Sequence, residues 1–134
     1  MNPSAVIDTH AAIWYFNADT RLTARAKTFI DDAGMQAKPV LVATITLVEM
    51  VYLQEKGKIP HGTLACLADA LRDPISVFQI ADLSIAVALA LGRVLRDEVP
   101  DMPDRIIAAT AVHFGVPVIS RDGKIRTSAV STIW

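Results

Sequence analysis

Residues 39–43 read Pro-Val-Leu-Val-Ala, an unbroken apolar run. A strand with one wet face alternates apolar and polar residues. A run without alternation suits a strand covered on both faces, as in a parallel sheet. The rest of the chain supports that setting. Strand-like segments at 4–8, 75–80, 117–120 and 131–134 are separated by segments of helical character at 11–16, 23–32, 46–56, 60–72, 82–96 and 103–115. Thr23 and Asp82 suit helix N-caps, Pro60 and Pro103 suit first helical positions, and Gly115 suits a left-handed C-cap. Strands alternating with helices imply parallel pairing, right-handed crossovers and helices on both faces.

The 134 residues contain no repeat or low-complexity tract and fit one domain, 1–134, able to bury a core. With 52% apolar and 20% charged residues, the chain is globular rather than disordered. The apolar excess points to a buried sheet or a self-association surface. Uncharged stretches such as 83–92 are too short to span a bilayer, and the N-terminus lacks the basic region and apolar run of a signal peptide. The lone cysteine, Cys66, cannot form an internal disulfide, so a reduced, cytoplasmic protein is expected. Its neighbours Leu64, Leu67, Ala68 and Leu71 suggest a core thiol rather than a nucleophile. The net charge of −1 excludes nucleic-acid binding by bulk charge, so any such binding needs a local patch.

In open parallel sheets ligands sit beyond the carboxyl ends of the strands, where the strand order reverses. Asp8 ends the first strand. Asp122 follows the strand at 117–120 by two residues. Glu49 is expected in the first turn of the helix that leaves the strand at 39–43, and Asp104 in the first turn of the helix that feeds the strand at 117–120. Both helix N-termini point to the carboxyl edge. Four acids far apart in sequence thus converge there if their strands are neighbours.

Each acid also has a purely structural reading. Asp8 could cap a helix, Glu49 could close a capping box with Thr46, Asp104 could complement a helix dipole, and Asp122 could be a turn residue. Two features weigh against these. Glu49 has Ile45 and Leu53 four residues to either side, and Asp104 shares its face with Ile107, Ala108 and Ala111. Both carboxylates are aimed at packed structure, where a charge needs a partner, and neither face carries a nearby lysine or arginine. A divalent cation supplies one. Oxygen-only ligands favour hard ions, so magnesium or manganese is expected. Such an ion lowers the pKa of a bound water and neutralises charge on a phosphodiester.

Other phosphate chemistries fit less well. A phosphatase using an aspartyl intermediate would place Asp-x-Asp after the first strand, where this chain has Asp8-Thr9-His10. A receiver domain would need an acid pair near the first strand. There is no glycine-rich phosphate loop and no dinucleotide fingerprint.

The segment Val6-Ile7-Asp8-Thr9-His10-Ala11-Ala12-Ile13-Trp14 resembles the opening of many PIN-domain toxins of the VapC type. Thr46-Leu47-Val48-Glu49 is similar to their second acidic motif, and residues 102–111, Met-Pro-Asp-Arg-Ile-Ile-Ala-Ala-Thr-Ala, to their third. Val118-Ile119-Ser120-Arg121-Asp122 resembles the fourth. The matches fall in family order over nearly the whole chain. The resemblance implies an α/β fold of three layers, α/β/α, with a five-stranded parallel sheet in the order 3-2-1-4-5. It implies a Mg2+- or Mn2+-dependent endoribonuclease toxin that forms a homodimer and is held inactive by a cognate antitoxin. Carried over, Asp8, Glu49, Asp104 and Asp122 are the catalytic, metal-binding acids, with Thr9 and Ser120 as supporting hydroxyls. The alternative within the same fold is an inactive module that binds RNA or protein.

Asp101 competes with Asp104 for the third role, and Asp104 is preferred because it precedes Arg105 and the apolar helix. His10 is read first as a helix-start histidine with a structural hydrogen bond, and second as a contact to RNA or a proton relay. Arg105, Arg121, Lys124 and Arg126 are either phosphate contacts or solvated charge. Trp14, Tyr15 and Phe16 are expected in the core or a dimer interface rather than stacked on bases.

Overall fold

The computed structural model describes residues 2–121, 125 and 127–134. The strands are β1 (Ala5–Ile7), β2 (Val40–Ala43), β3 (Phe78–Ala81), β4 (Val118–Ile119) and β5 (Thr132–Ile133). They form one five-stranded sheet in the order β3-β2-β1-β4-β5, and every neighbouring pair is parallel. The strand order reverses at β1, between β2 and β4. The helices are α1 (Thr9–Phe16), α2 (Ala24–Met35), α3 (Thr44–Glu55), α4 (Thr63–Arg72), α5 (Ile85–Ala90) and α6 (Met102–Phe114), with a 3-10 turn at Leu91–Arg93.

Two apolar clusters flank the sheet. Val40 and Val42 of β2 face the cluster that holds Ile7, Trp14, Ile30, Met50 and Phe78. Leu41 and Ala43 face the other, with Val6, Ile107, Ala108 and Val118. Alternate residues of one strand therefore pack into different layers, which is why the run at 39–43 carries no polar residue. Among the described residues, every buried side-chain nitrogen and oxygen has a hydrogen-bond partner. No helix is long and apolar enough to cross a membrane among the described residues.

Several local expectations need correction. The α3 helix begins at Thr44, directly where β2 ends, with Ala43 as its N-cap. Thr46 therefore lies inside the helix and closes no capping box, and Glu49 falls in the second turn. The α4 helix starts at Thr63 behind a left-handed Gly62 (φ 91°), not at Pro60. Ser84 rather than Asp82 caps α5, its Oγ accepting the Val87 amide at 3.2 Å. The helix then stops at Ala90 instead of running on to Arg96. Ile75 is exposed in a turn that Asp73 closes by accepting the Ser76 and Ile75 amides, so β3 starts only at Phe78. Cys66 is exposed: the buried stripe of α4 runs through Thr63 and Leu67, and Cys66 sits about 100° away from Leu67.

Candidate active site

Asp8 follows the last residue of β1 and precedes the first of α1. It is buried, 2% exposed, at the carboxyl edge of the central strand. Both carboxylate oxygens are engaged. Oδ1 accepts the Ala11 amide at 2.8 Å and so caps α1, while Oδ2 accepts the Ser120 hydroxyl at 2.5 Å. The Asp8 amide donates to the Ile119 carbonyl at 3.0 Å, extending the β1–β4 ladder by one residue. Ser120 is itself fully buried. The capping interpretation of Asp8 is correct, but capping uses only one face of the carboxylate.

Thr9 carries the site across to the next helix. Its Oγ1 donates to Glu49 Oε1 at 2.5 Å and lies 3.1 Å from Thr46 Oγ1. Glu49 is thereby tied to the residue that adjoins Asp8. The sequence signal for Thr46 was present in its spacing, because residues three apart on a helix share a face. Read as a cap, it pointed the wrong way.

Asp104 lies in the first turn of α6, the helix that leads into β4. That turn stands beside Glu49: Met102 and Pro103 line a groove of about 360 Å³ together with Ile45, Val48, Glu49 and Tyr52. Asp101 is the N-cap of α6, its Oδ2 accepting the Asp104 amide at 3.1 Å. That bond gives Asp101 a structural task and leaves Asp104 as the acid inside the helix. The apolar residues read onto the Asp104 face, Ile107, Ala108 and Ala111, are fully buried. Asp122, with Lys124 and Arg126, lies outside the described residues. Among the described residues, no three His, Cys, Asp or Glu side chains form a ready-made metal cluster.

The nearby cations divide. Arg105 donates from Nε to the Val94 carbonyl at 2.9 Å and from Nη2 to the Leu91 carbonyl at 3.0 Å. It clamps the 3-10 turn and the residue after it, so its guanidinium has a structural role that neither sequence reading included. Arg121 is exposed, with its guanidinium carbon 5.9 Å from the Trp14 ring centre. Arg21 stands 5.0 Å from the same ring and pairs with Asp19 at 2.7 Å. Hydrogen bonds from Arg21 hold the Asp19 carboxyl down at a pKa of about 2. The His10 ring packs 5.9 Å from Trp14, one helical turn before it. Trp14 is buried, and Tyr15 and Phe16 pack edge-on and tilted against Phe78, so these aromatics belong to the core as expected.

Residues 5–130 match the model of the PIN domain family. The chain belongs to the PIN domain family. Ribonuclease VapC22 of Mycobacterium tuberculosis is 26% identical over 125 residues, covering 92% of this chain and 91% of that protein. Among solved structures, the VapBC2 complex of Rickettsia felis, bound to a DNA fragment from its promoter, superposes with a TM-score of 0.69 at 18% identity. The likeness covers 96% of each chain and is one of fold. A toxin–antitoxin complex from Klebsiella pneumoniae aligns with a TM-score of 0.56 and 26% identity, over 90% of this chain and 88% of that one. The observed sheet order, 3-2-1-4-5, is the PIN arrangement expected from the resemblance. In this PIN domain two hydrogen-bonded pairs, Ser120–Asp8 and Thr9–Glu49, lie next to each other at the reversal point of the sheet, because Asp8 and Thr9 are consecutive.

Proposed function

We propose that this PIN domain is a metal-dependent endoribonuclease of the VapC toxin type, with Asp8, Glu49, Asp104 and Asp122 as its catalytic, metal-binding acids. The observation that carries the reading is Asp8: a buried carboxylate at the reversal point of the sheet, fixed by Ser120 and by the first turn of α1. A buried carboxylate is retained where fold or function uses it, and the cap alone would be served by an exposed one. Similarity to a ribonuclease over nearly the whole chain supports the substrate class.

The donor set consists of oxygens alone, which fits a hard cation and favours magnesium or manganese. When bound, such an ion supplies a water of lowered pKa and offsets charge on the phosphodiester. The chain's own residues prepare the site. Ser120 fixes the rotation of the Asp8 carboxylate, and Thr9 fixes one oxygen of Glu49.

A cognate antitoxin is the proposed partner, in keeping with the toxin–antitoxin complexes among the structural neighbours. A homodimer is proposed as well, supported by the exposed apolar side chains Val48, Tyr52, Ile85 and Leu89. The proposed compartment is the cytoplasm.

Incubation of the purified chain with a mixed RNA pool in magnesium, in manganese and in excess EDTA tests the activity. Cleavage in either metal and none in EDTA is expected. Equal cleavage in EDTA would rule out metal-dependent hydrolysis. Growth arrest on expression, relieved by the antitoxin, is expected of a toxin, and harmless expression of an active nuclease would argue against that role.

A further inference from the structure

The three hydroxyl and carboxylate oxygens at the α1–α3 contact form a chain whose direction can be deduced. Thr9 Oγ1 has one proton and two neighbours: Glu49 Oε1 at 2.5 Å and Thr46 Oγ1 at 3.1 Å. An ionised carboxylate only accepts. The Thr9 proton therefore goes to Glu49, and Thr9 must accept from Thr46. Thr46 then donates to Thr9, and Thr9 to Glu49.

The Thr46 hydroxyl is fully buried. Inside a helix, a threonine hydroxyl commonly bonds back to the carbonyl four residues earlier. Thr110 does this in α6, donating to the Ile106 carbonyl at 2.8 Å. Thr46 stands in the first turn of α3, where the residue four back is Val42 of β2 and not part of the helix, and its hydroxyl spans two helices by reaching the first residue of α1. Thr46 is not the cap of α3: the N-cap position is held by Ala43, which makes no side-chain cap bond, and Thr46 lies inside the first turn.

The geometry points to Thr46 as a positioning residue of the candidate site: by donating to Thr9 it anchors the hydroxyl that donates to Glu49, and through it holds that carboxylate in place. Without the Thr46 hydroxyl, Thr9 loses the donor that saturates its oxygen. The Thr9 hydroxyl still donates to Glu49, but it is no longer anchored from α3, so the position from which it holds the Glu49 oxygen is less fixed. Removing a direct hydrogen-bond partner of a ligating carboxylate typically changes metal affinity or activity by about 10–100-fold, and Thr46, one bond further out, is expected at the lower end of that range. This inference rests on the proposal that Glu49 holds a divalent ion.

Mn2+ titration of the purified chain, followed by calorimetry in the absence of RNA, tests it. Thr46→Val removes the hydroxyl while keeping the shape, Thr46→Ala removes it in a good helix former, and Thr46→Ser restores it. The Mn2+ Kd is expected to rise by roughly tenfold in Thr46→Val and Thr46→Ala, and to stay within about twofold of the parent in Thr46→Ser. Circular dichroism at the titration temperature selects the folded variants, so a merely structural loss is read separately. Unchanged Kd in a folded Thr46→Val or Thr46→Ala, while Asp8→Asn abolishes binding, would overturn the role of Thr46 and leave the metal site standing. An equal loss in Thr46→Ser would overturn it as well, because the hydroxyl would not be the cause. Parent-like Mn2+ binding by Asp8→Asn would instead remove the metal assignment on which the role depends.

Discussion

Ser120 donates to Asp8 at 2.5 Å although 112 positions separate them in sequence, and both side chains are buried. The bond exists because β4 pairs with β1, which brings the residues just past the two strands side by side. It fixes the carboxylate that ends the central strand.

Removing that hydroxyl should therefore be felt at the site and in the fold. Ser120→Ala is expected to lower stability by about 1.5–3 kcal/mol, the usual range for a hydrogen bond to a charged group. Mn2+ affinity should fall roughly tenfold or more. Thermal melting and metal titration of the same sample check both effects.

Arg105 separates two readings of a basic residue near the acids. Its guanidinium fork holds the Val94 and Leu91 carbonyls at 2.9 and 3.0 Å. Lysine cannot reproduce both bonds, because it lacks the planar fork. Arg105→Lys is expected to cost about 1–2 kcal/mol of stability. In Arg105→Gln, which also removes the charge, the salt dependence of RNA binding should be unchanged. A drop of about one in the logarithmic salt slope would instead mark Arg105 as a phosphate contact.

Trp14 is the hub of the aromatic layer, with Trp134 at 5.7 Å, His10 at 5.9 Å and two guanidinium groups over its ring. Trp14→Ala is expected to destabilise by about 3–5 kcal/mol, and Trp14→Phe by less. Chemical denaturation followed by circular dichroism checks the order.

Tyr15 gives the fold an alkaline limit. Burial, followed by the charge and hydrogen bond of Asp31, pushes the phenol above its ordinary value of 10.0. The folded state thus favours the neutral phenol. That contribution is complete below the ordinary value and is lost as pH rises through the raised one. Ultraviolet titration of tyrosinate should show a late component that Tyr15→Phe removes. Asp31→Asn should move the component to lower pH.

The layers and the parallel pairing of this PIN domain were readable because they depend on patterns that burial imposes directly, whereas the strand order came from the family resemblance alone. A run such as 39–43 has no polar residue because both its faces are covered. Gly115, left-handed with φ 68°, and Thr23, accepting the Ala26 amide at 3.1 Å, ended and began their helices as read. Helix starts elsewhere were misread, in one case because two cap-forming residues competed. Ser84 prevailed over Asp82 because α5 begins only after the chain has turned off β3. Thr46 lost its capping role because β2 passes into α3 with no loop between them.

Of the candidate residues, Asp8 after β1 and Asp104 in the first turn of α6 lie where the topology of a parallel sheet puts them, which sequence order already implied. The resemblance named Thr9 and Ser120 as supporting hydroxyls, and both donate to acids, but which acid each one meets and the link to Thr46 did not follow. Thr9–Thr46, Thr9–Glu49 and Ser120–Asp8 join residues 37, 40 and 112 positions apart, and no local pattern encodes such contacts. The role of Arg105 was hidden for the same reason: its acceptors are backbone carbonyls at the irregular end of a helix.

The central claim is that Asp8 serves chemistry as well as capping, and Asp8→Asn separates the two. Asparagine caps helices as well as aspartate does, and its amide can still meet the Ser120 hydroxyl, so the fold should persist. The charge is lost. RNA cleavage by the folded variant, measured beside the parent in manganese, is expected to fall by at least about a hundredfold, roughly 2.7 kcal/mol of barrier. Cleavage within a few-fold of the parent would contradict the account and reduce Asp8 to a helix cap.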